Sequence, residues 1–178
     1  YAITKYINEL YAENFKHMYN LDSVGLRYFN VFGRKQDPNG AYAAVIPKFI
    51  SQLIHGVSPI VNGDGSFSRD FTHIDNVLNM NYLALTTKNS NALNQVYNTA
   101  VGDSTTLVQL INLLKKYLSD FNININKIKI IHGPNRIGDI PHSLASVAKA
   151  SKMLKYIPSV NIENGIQKSI HWYWNNLK

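Results

Sequence analysis

Residues 1–29, YAITKYINELYAENFKHMYNLDSVGLRYF, decide the fold because they join an amphipathic helix to a strand. Apolar side chains recur every three or four residues up to position 18, which is the spacing of a helix with one apolar face. Asn20 then ends the predicted helix, and Ser23–Phe29 has the composition of a buried strand. The apolar positions of the helix are Ile3, Ile7, Leu10, Tyr11, Phe15 and Met18.

The remainder of the chain repeats this alternation, which predicts an α/β architecture. The segments 30–42 and 132–142 are rich in Gly, Pro and polar residues, so we expect long loops of the kind that carry function. Gly63-Asp64-Gly65 predicts a hairpin turn between two short strands. Predicted strands cover 59–61, 67–74, 96–100 and 128–131, and predicted helices cover 43–55, 75–87 (with Asp75 as N-cap), 146–155, 161–176 and a segment starting at Thr105.

The charge distribution and composition of the chain limit the classes of partner that we expect it to bind. The net charge is +7, yet the 18 Lys and Arg residues are scattered, with only Arg34-Lys35 and Lys115-Lys116 adjacent. We therefore expect a solvated basic surface and no nucleic-acid partner. No apolar run reaches the roughly 20 residues of a membrane span, so no membrane partner is expected. The chain has no cysteine and its six histidines lack metal-ligand spacing, so no metal site is expected.

Tyr1 and Lys5 form the first of several spaced motifs. Residues four apart share one helix face, and an ammonium beside a phenol lowers the phenol's pKa and makes it a general base. Such a pair also occurs by chance between exposed neighbours, so its context matters. That context is LRYFNVFG at 26–33, GDGSFSRDFTHIDN at 63–76 and Arg-x-Gly-Asp at 136–139.

In this order and over nearly the whole chain, the motifs resemble the extended short-chain dehydrogenase/reductase family of sugar-nucleotide epimerases, dehydratases and decarboxylases. The stretch 36–47, QDPNGAYAAVIP, resembles the bacterial 4-epimerases that act on UDP-N-acetylglucosamine or its uronic acid. The resemblance implies the C-terminal part of an NAD-binding Rossmann-like fold with a smaller α/β substrate-binding domain. Residues 1–30 and 70–100 would belong to the first, and 31–69 and 101–178 to the second.

The same resemblance implies an activity. It is NAD-dependent epimerisation at C4 of a UDP-sugar through a 4-keto intermediate, by a cytoplasmic full-length protein that forms a homodimer. Tyr1 would act as the base, and Lys5 would hold the nicotinamide ribose and keep Tyr1 anionic. Phe29 would face the nicotinamide, although core packing explains it equally well.

The implied substrate contacts come from several segments. Arg69 and Arg136 would clamp the diphosphate, since a planar guanidinium matches phosphate oxygens; a surface ion pair between Arg69 and Asp70 is the alternative. Ser143 would leave room for a 2-acetamido group, or simply cap the next helix. The other implied contacts are Asn30 with the diphosphate or sugar, Ala44 and Val45 with phosphates at a helix N-terminus, Phe49 (otherwise a core residue) and Asn62 with the uracil, and Asp139 with ribose hydroxyls.

Two parts of the family pattern have no counterpart in the chain. The family carries a Gly-rich dinucleotide loop and a Ser or Thr partner of the catalytic Tyr, both upstream of that Tyr. Gly63-Asp64-Gly65 lacks the spacing of such a loop. The resemblance therefore implies a fragment, and it leaves open a dehydratase or decarboxylase of the same family and a non-catalytic nucleotide-binding fragment.

We expect that the purified 178-residue chain does not interconvert UDP-N-acetylglucosamine and its C4 epimer, even with added NAD, because the dinucleotide loop has no counterpart in it. Anion-exchange separation of the two sugar nucleotides measures this directly. Measurable interconversion by the chain alone would show that the upstream elements are dispensable.

Overall fold

The opening helix and strand form where the sequence predicts them. In the computed structural model, which describes residues 1–40, 43–135 and 138–177, α1 spans Ala2–Tyr19 and ends at Asn20 in the left-handed conformation, with φ 52°. Strand β1 spans Val24–Tyr28. It is half-buried over its first three residues and exposed over the last two, so the expectation of a buried strand was wrong. The reason is that α1 buries none of its residues and β1, within the described ranges, pairs along one edge only.

The described chain contains four small sheets. β1 pairs in parallel with β6, Gln95–Thr99, so these two predicted strands share a sheet. β2, Val31–Phe32, lies inside the predicted loop 30–42 and pairs in parallel with β5, Thr72–His73. The boundaries of the two predicted domains stay a prediction.

The other two sheets lie next to the described residues 138–141, which precede β9. β3, Ile60–Asn62, pairs in parallel with β8, Ile131–Gly133. β4, Ser68–Arg69, lies between β7, Thr105–Thr106, and β9, His142–Ser143. It runs antiparallel to β7 and parallel to β9.

The predicted hairpin at Gly63-Asp64-Gly65 was wrong. The Gly63 N–H donates to the Gly133 carbonyl at 2.9 Å, which continues the ladder between β3 and β8 instead of turning the chain back onto β4. Gly63 and Gly65 adopt φ of 66° and 79°, a region that glycine enters at little cost. They let the chain leave one sheet and enter another.

Three helices enclose the larger core. α2 spans Val45–Ile54, α4 spans Leu107–Leu118 and α6 spans Ile162–Asn176. Each fully buried leucine contributes about 2 kcal/mol of hydrophobic stabilisation by area. The buried residues that these helices contribute are Ile46, Phe49, Ile50, Leu53, Leu110, Ile111, Leu114, Leu118, Ile166, Ile170 and Tyr173.

A smaller core lies against β6. It is enclosed by α3, Ile74–Thr86, and α5, Ala148–Leu154, and contains Met80, Tyr97, Leu154 and Tyr156. The side chain of buried Asn76 on α3 accepts from the Val160 N–H at 3.1 Å and donates to its carbonyl at 2.7 Å. This amide therefore fastens the loop before α6 to α3.

Buried tyrosines also hold main-chain carbonyls. The Tyr156 hydroxyl donates to Ala100 at 2.8 Å, and the Tyr173 hydroxyl donates to Gly33 at 2.6 Å. Burial raises the pKa of each phenol to about 12. Within the described residues, no helix is long and apolar enough to cross a membrane, and no three His, Asp or Glu side chains are grouped as metal ligands.

The sequence predicted Asp75 as the N-cap of α3. In the structure, the N-cap is His73. The His73 Nδ1 accepts from the Asp75 N–H at 3.2 Å, and its ring packs edge-on against Phe32. The side chain of Asp75 instead pairs with Lys168 at 2.7 Å. Burial lowers the pKa of His73; the nearby Asp75 raises it in part, while Lys168 lowers it further.

This geometry predicts a pH dependence. Because the folded pKa of His73 lies below the unfolded value of about 6.5, the unfolded chain binds more protons between the two values. The free energy of unfolding should therefore fall as the pH drops below about 6.5. His73→Asn, which still offers a capping oxygen, should flatten this dependence between pH 7.5 and 5 in urea titrations. The exposed His17→Asn is the control, and equal slopes in wild type and His73→Asn would contradict the assignment.

Candidate functional site

Four predicted substrate residues line one cavity. Its volume is about 340 Å³, and its lining consists of Asn30, Arg69, Gly138, Asp139, Ile140 and Ser143. These residues come from the end of β1, from β4, from β9 and from the loop before β9. The cavity lies at the end of a parallel strand, which is where open α/β sheets bind ligands.

Arg69 is fixed by main-chain carbonyls and not by a carboxylate. Its Nη1 donates to Ser68 O at 2.8 Å and to Pro141 O at 3.2 Å. Among the described residues, no acidic side chain lies within ion-pair distance of Arg69, and its Nε and Nη2 have no hydrogen-bond partner. The alternative of an ion pair with Asp70 was therefore wrong, because Asp70 is fully buried on the inner side of the strand. The uncompensated guanidinium can bind an anion in the cavity.

Ser143 lies directly beside Arg69, as its partner in the parallel register of β4 and β9. Its carbonyl accepts from the Asp70 N–H at 2.9 Å. The next helix, α5, begins at Ala148 with Val147 as N-cap, so the alternative role of Ser143 as a helix cap was wrong. Its small half-buried side chain leaves this side of the cavity open.

The polar side chains of the cavity are held by neighbours. Asn30, with φ 30°, donates its Nδ2 to the Asp70 carbonyl at 3.2 Å. Asp139 accepts from Asn62 Nδ2 at 3.4 Å, which brings the predicted uracil contact to the edge of the same site. From its described lining residues, the cavity thus offers one cation, one carboxylate and two neutral polar groups.

Tyr1 and Lys5 lie elsewhere, on a separate groove of about 1150 Å³ between α1 and the sheet of β1 and β6. The Lys5 Nζ is 5.1 Å from the centroid of the Tyr1 ring, and Tyr1 is 93% exposed. α1 is tied to β1 by the ion pair of Glu9 with Arg27, whose two contacts are both 2.7 Å long. This hydrogen-bonded pair lowers the pKa of Glu9.

The other predicted contacts have simpler surroundings. Ala44 is the N-cap of α2 and Val45 is its first residue, as the sequence suggested. Phe49 is buried in the larger core, and Phe29 is half-buried after β1. Arg136 lies outside the described residues.

Sequence reasoning missed Gly138 and Ile140 as parts of the cavity lining. Gly138 belongs to the Arg-x-Gly-Asp motif and Ile140 directly follows it, so the motif located the segment but not all of the residues that line the cavity. It also missed the burial of Asp70, although the alternation of side chains along a strand places a residue after an outward-facing Arg on the inner side.

Comparisons with known proteins show the family to which the chain is similar. Residues 1–100 match the NAD dependent epimerase/dehydratase family. A UDP-glucose 4-epimerase structure from Thermotoga maritima, solved with UDP-glucose, is 32% identical, with a TM-score of 0.89 over 100% of this chain and 54% of that chain. A UDP-N-acetylglucosamine 4-epimerase from Methanobrevibacter ruminantium, in complex with UDP-N-acetylmuramic acid, is 38% identical, with a TM-score of 0.81 over 94% of this chain and 51% of that chain.

A curated plant relative of the chain is also a UDP-sugar 4-epimerase. UDP-glucuronate 4-epimerase 5 of Arabidopsis thaliana is 31% identical over 97% of this chain and 41% of its own length. The chain spans about half the length of the curated relatives it matches.

The free donors of Arg69 predict anion binding. Pyrophosphate should bind in the cavity, and Arg69→Gln should weaken that binding about tenfold, because a charged bidentate contact is lost. Isothermal titration calorimetry at low salt measures it. Arg34→Gln removes the same charge from an exposed position outside the cavity and is the control; an equal loss in both variants would mean that only net charge matters.

Proposed function

The chain belongs to the NAD dependent epimerase/dehydratase family, and from this premise we propose that it forms the UDP-sugar-binding part of a 4-epimerase. The observation that carries the proposal is the convergence of Asn30, Arg69, Asp139 and Ser143 on one cavity. These residues come from distant segments and supply the groups that a nucleoside diphosphate sugar requires.

Each group has a place on such a ligand. Arg69 offers unpaired guanidinium donors to the diphosphate, where a planar fork binds two oxygens at once. Asp139 accepts from hydroxyls, which suits the ribose. Asn30 and Ser143 are neutral and small, so they can contact a sugar without fixing a single orientation. C4 epimerisation requires such tolerance, because the 4-keto sugar must turn over within the site.

The residues on α1 fit the nicotinamide end of NAD. A phenol and an ammonium lie side by side on one helix face, next to a groove that is large enough for part of a dinucleotide. Lys5 would hold the ribose hydroxyls and keep Tyr1 anionic, and Tyr1 would take the proton from the sugar 4-hydroxyl and later return it. NAD, when bound, supplies reversible oxidation at C4. Arg136 would join Arg69 at the diphosphate.

We propose an N-acetylated hexosamine, or its uronic acid, as the sugar. The small side chain of Ser143 leaves volume in the cavity wall, and a 2-acetamido group needs that volume. The resemblance of residues 36–47 to 4-epimerases of N-acetylated sugars supports the same choice. Ala44 and Val45 at the start of α2, with Asn62, would meet the nucleotide, whereas Phe49 packs in the core.

The substrate choice is tested by Ser143→Tyr. The phenol would fill the space of the acetamido group, so affinity for UDP-N-acetylglucosamine should fall about tenfold more than affinity for UDP-glucose. Calorimetric titration of the 178-residue chain with both nucleotides and with UDP measures the ratio. UDP should bind with little change, since Arg69 is retained.

Ser90→Tyr is the matched control, because Ser90 is an exposed serine that lines neither the cavity nor the groove beside α1. If both UDP-sugars lose affinity equally in Ser143→Tyr, the choice of an N-acetylated sugar is wrong while UDP-sugar binding stands. If the wild-type chain binds neither UDP nor a UDP-sugar, the proposed function is wrong.

A further inference from the structure

Asp70 is a fully buried carboxylate with an unusual set of partners. Its oxygens accept from the Val101 N–H at 3.0 Å and the Gly102 N–H at 2.8 Å, and the Thr72 hydroxyl lies at 3.4 Å. Aspartate is rarely buried without a counterion. Among the described residues, however, no Lys, Arg or His lies within ion-pair distance, so main-chain amides compensate the charge.

The main chain of Asp70 connects the cavity segments. Its N–H donates to Ser143 O at 2.9 Å, and its carbonyl accepts from Asn30 Nδ2 at 3.2 Å. Arg69 precedes it directly in the chain. The main chain of Asp70 therefore forms hydrogen bonds to two lining residues, Ser143 and Asn30. Because Arg69 is the neighbouring residue, the position of Asp70 also restricts that of Arg69.

The strand that carries Arg69 has few other fixed points. β4 is two residues long, so its ladder supplies only a few hydrogen bonds. The carboxylate attaches the end of this strand to the Val101–Gly102 loop after β6, which is itself held by the Tyr156 hydroxyl at Ala100. Apart from that attachment, the Thr72 hydroxyl at 3.4 Å is the one other hydrogen-bond partner of the Asp70 side chain among the described residues.

We infer that Asp70 is a positioning residue of the cavity: its buried carboxylate fixes the main chain that places Arg69, Asn30 and Ser143 around the ligand. The inference rests on the proposed function, because the ligand is a UDP-sugar. Asp70 touches no ligand; it acts through Arg69 and the other lining residues.

A double-mutant cycle distinguishes positioning from simple stabilisation. Asp70→Asn keeps the side-chain shape but turns an NH₂ group toward an amide N–H. It should weaken UDP-N-acetylglucosamine binding about tenfold, since small displacements of a binding group cost that much or more. In an Arg69→Gln background the same change should cost less than about threefold, because coupled residues are non-additive.

Asn76→Asp is the matched control. It is also an isosteric change of a fully buried side chain that holds a loop by main-chain hydrogen bonds, but it lies outside the cavity. It should lower the melting temperature and leave the dissociation constant unchanged. Thr72→Val, which removes the weakest partner of the carboxylate, is the milder second variant and decides the question if Asp70→Asn does not fold; it should weaken binding only while Arg69 is present.

The outcomes separate the two proposals. If Asp70→Asn and Asn76→Asp lose the same affinity, or if the loss at Asp70 is undiminished in Arg69→Gln, then Asp70 serves only stability and the inference is overturned. If Asp70→Asn folds and binds like wild type, it is also overturned. Absence of UDP-sugar binding in the wild-type chain would instead count against the proposed function.

Discussion

The hydrogen bonds from the Val101 and Gly102 amides to the buried Asp70 carboxylate are the constraint on which the site depends. A carboxylate in the interior costs several kcal/mol unless its oxygens are satisfied. Two amides of the loop after β6 and the hydroxyl of Thr72 satisfy them, so these contacts fix the position of the Asp70 side chain. Its neighbour Arg69 must then face the opposite side of the strand, toward the cavity.

This arrangement separates the negative charge from the positive one. Had Asp70 faced outward, it would have neutralised Arg69 at the surface and left no cation for a phosphate. Because Asp70 points inward, the guanidinium of Arg69 donates to main-chain carbonyl oxygens instead of a carboxylate. These carbonyls orient the guanidinium without neutralising its charge. Burial thus serves the electrostatics of the cavity as well as its shape.

Local patterns predicted most elements of the fold. The periodicity of α1, the extent of α6 and the strand segments of β1 and β6 follow from neighbouring residues. The pairing of β3 with β8 could not be predicted this way, because its strands are three residues long and about 70 positions apart. The false hairpin had the same cause: a Gly-rich turn is locally identical whether the chain returns or changes sheets.

The candidate site was predictable to the extent that its residues lie in motifs. Asn30, Arg69 and Asp139 were predicted from their motifs and Ser143 from its distance to the last motif, and the structure places all four in the lining of one cavity. Asp70 lies in the same motif as Arg69. The partners of its carboxylate, however, are the N–H groups of Val101 and Gly102, which lie 31 and 32 residues further along the chain. His73 as the cap of α3 was missed because a ring nitrogen, unlike a Ser or Asp oxygen, is not a usual cap.

The two-residue strands of the cavity wall also bear on how the chain folds. The partners Ser68 and His142 are 74 residues apart, and β4 gains little local structure before they meet. Closing so long a loop costs entropy that only the finished contacts offset. Helices α4 and α6, with their own caps and apolar faces, can assemble before this closure. We accordingly expect the cavity to form late in folding, after the surrounding helices have assembled.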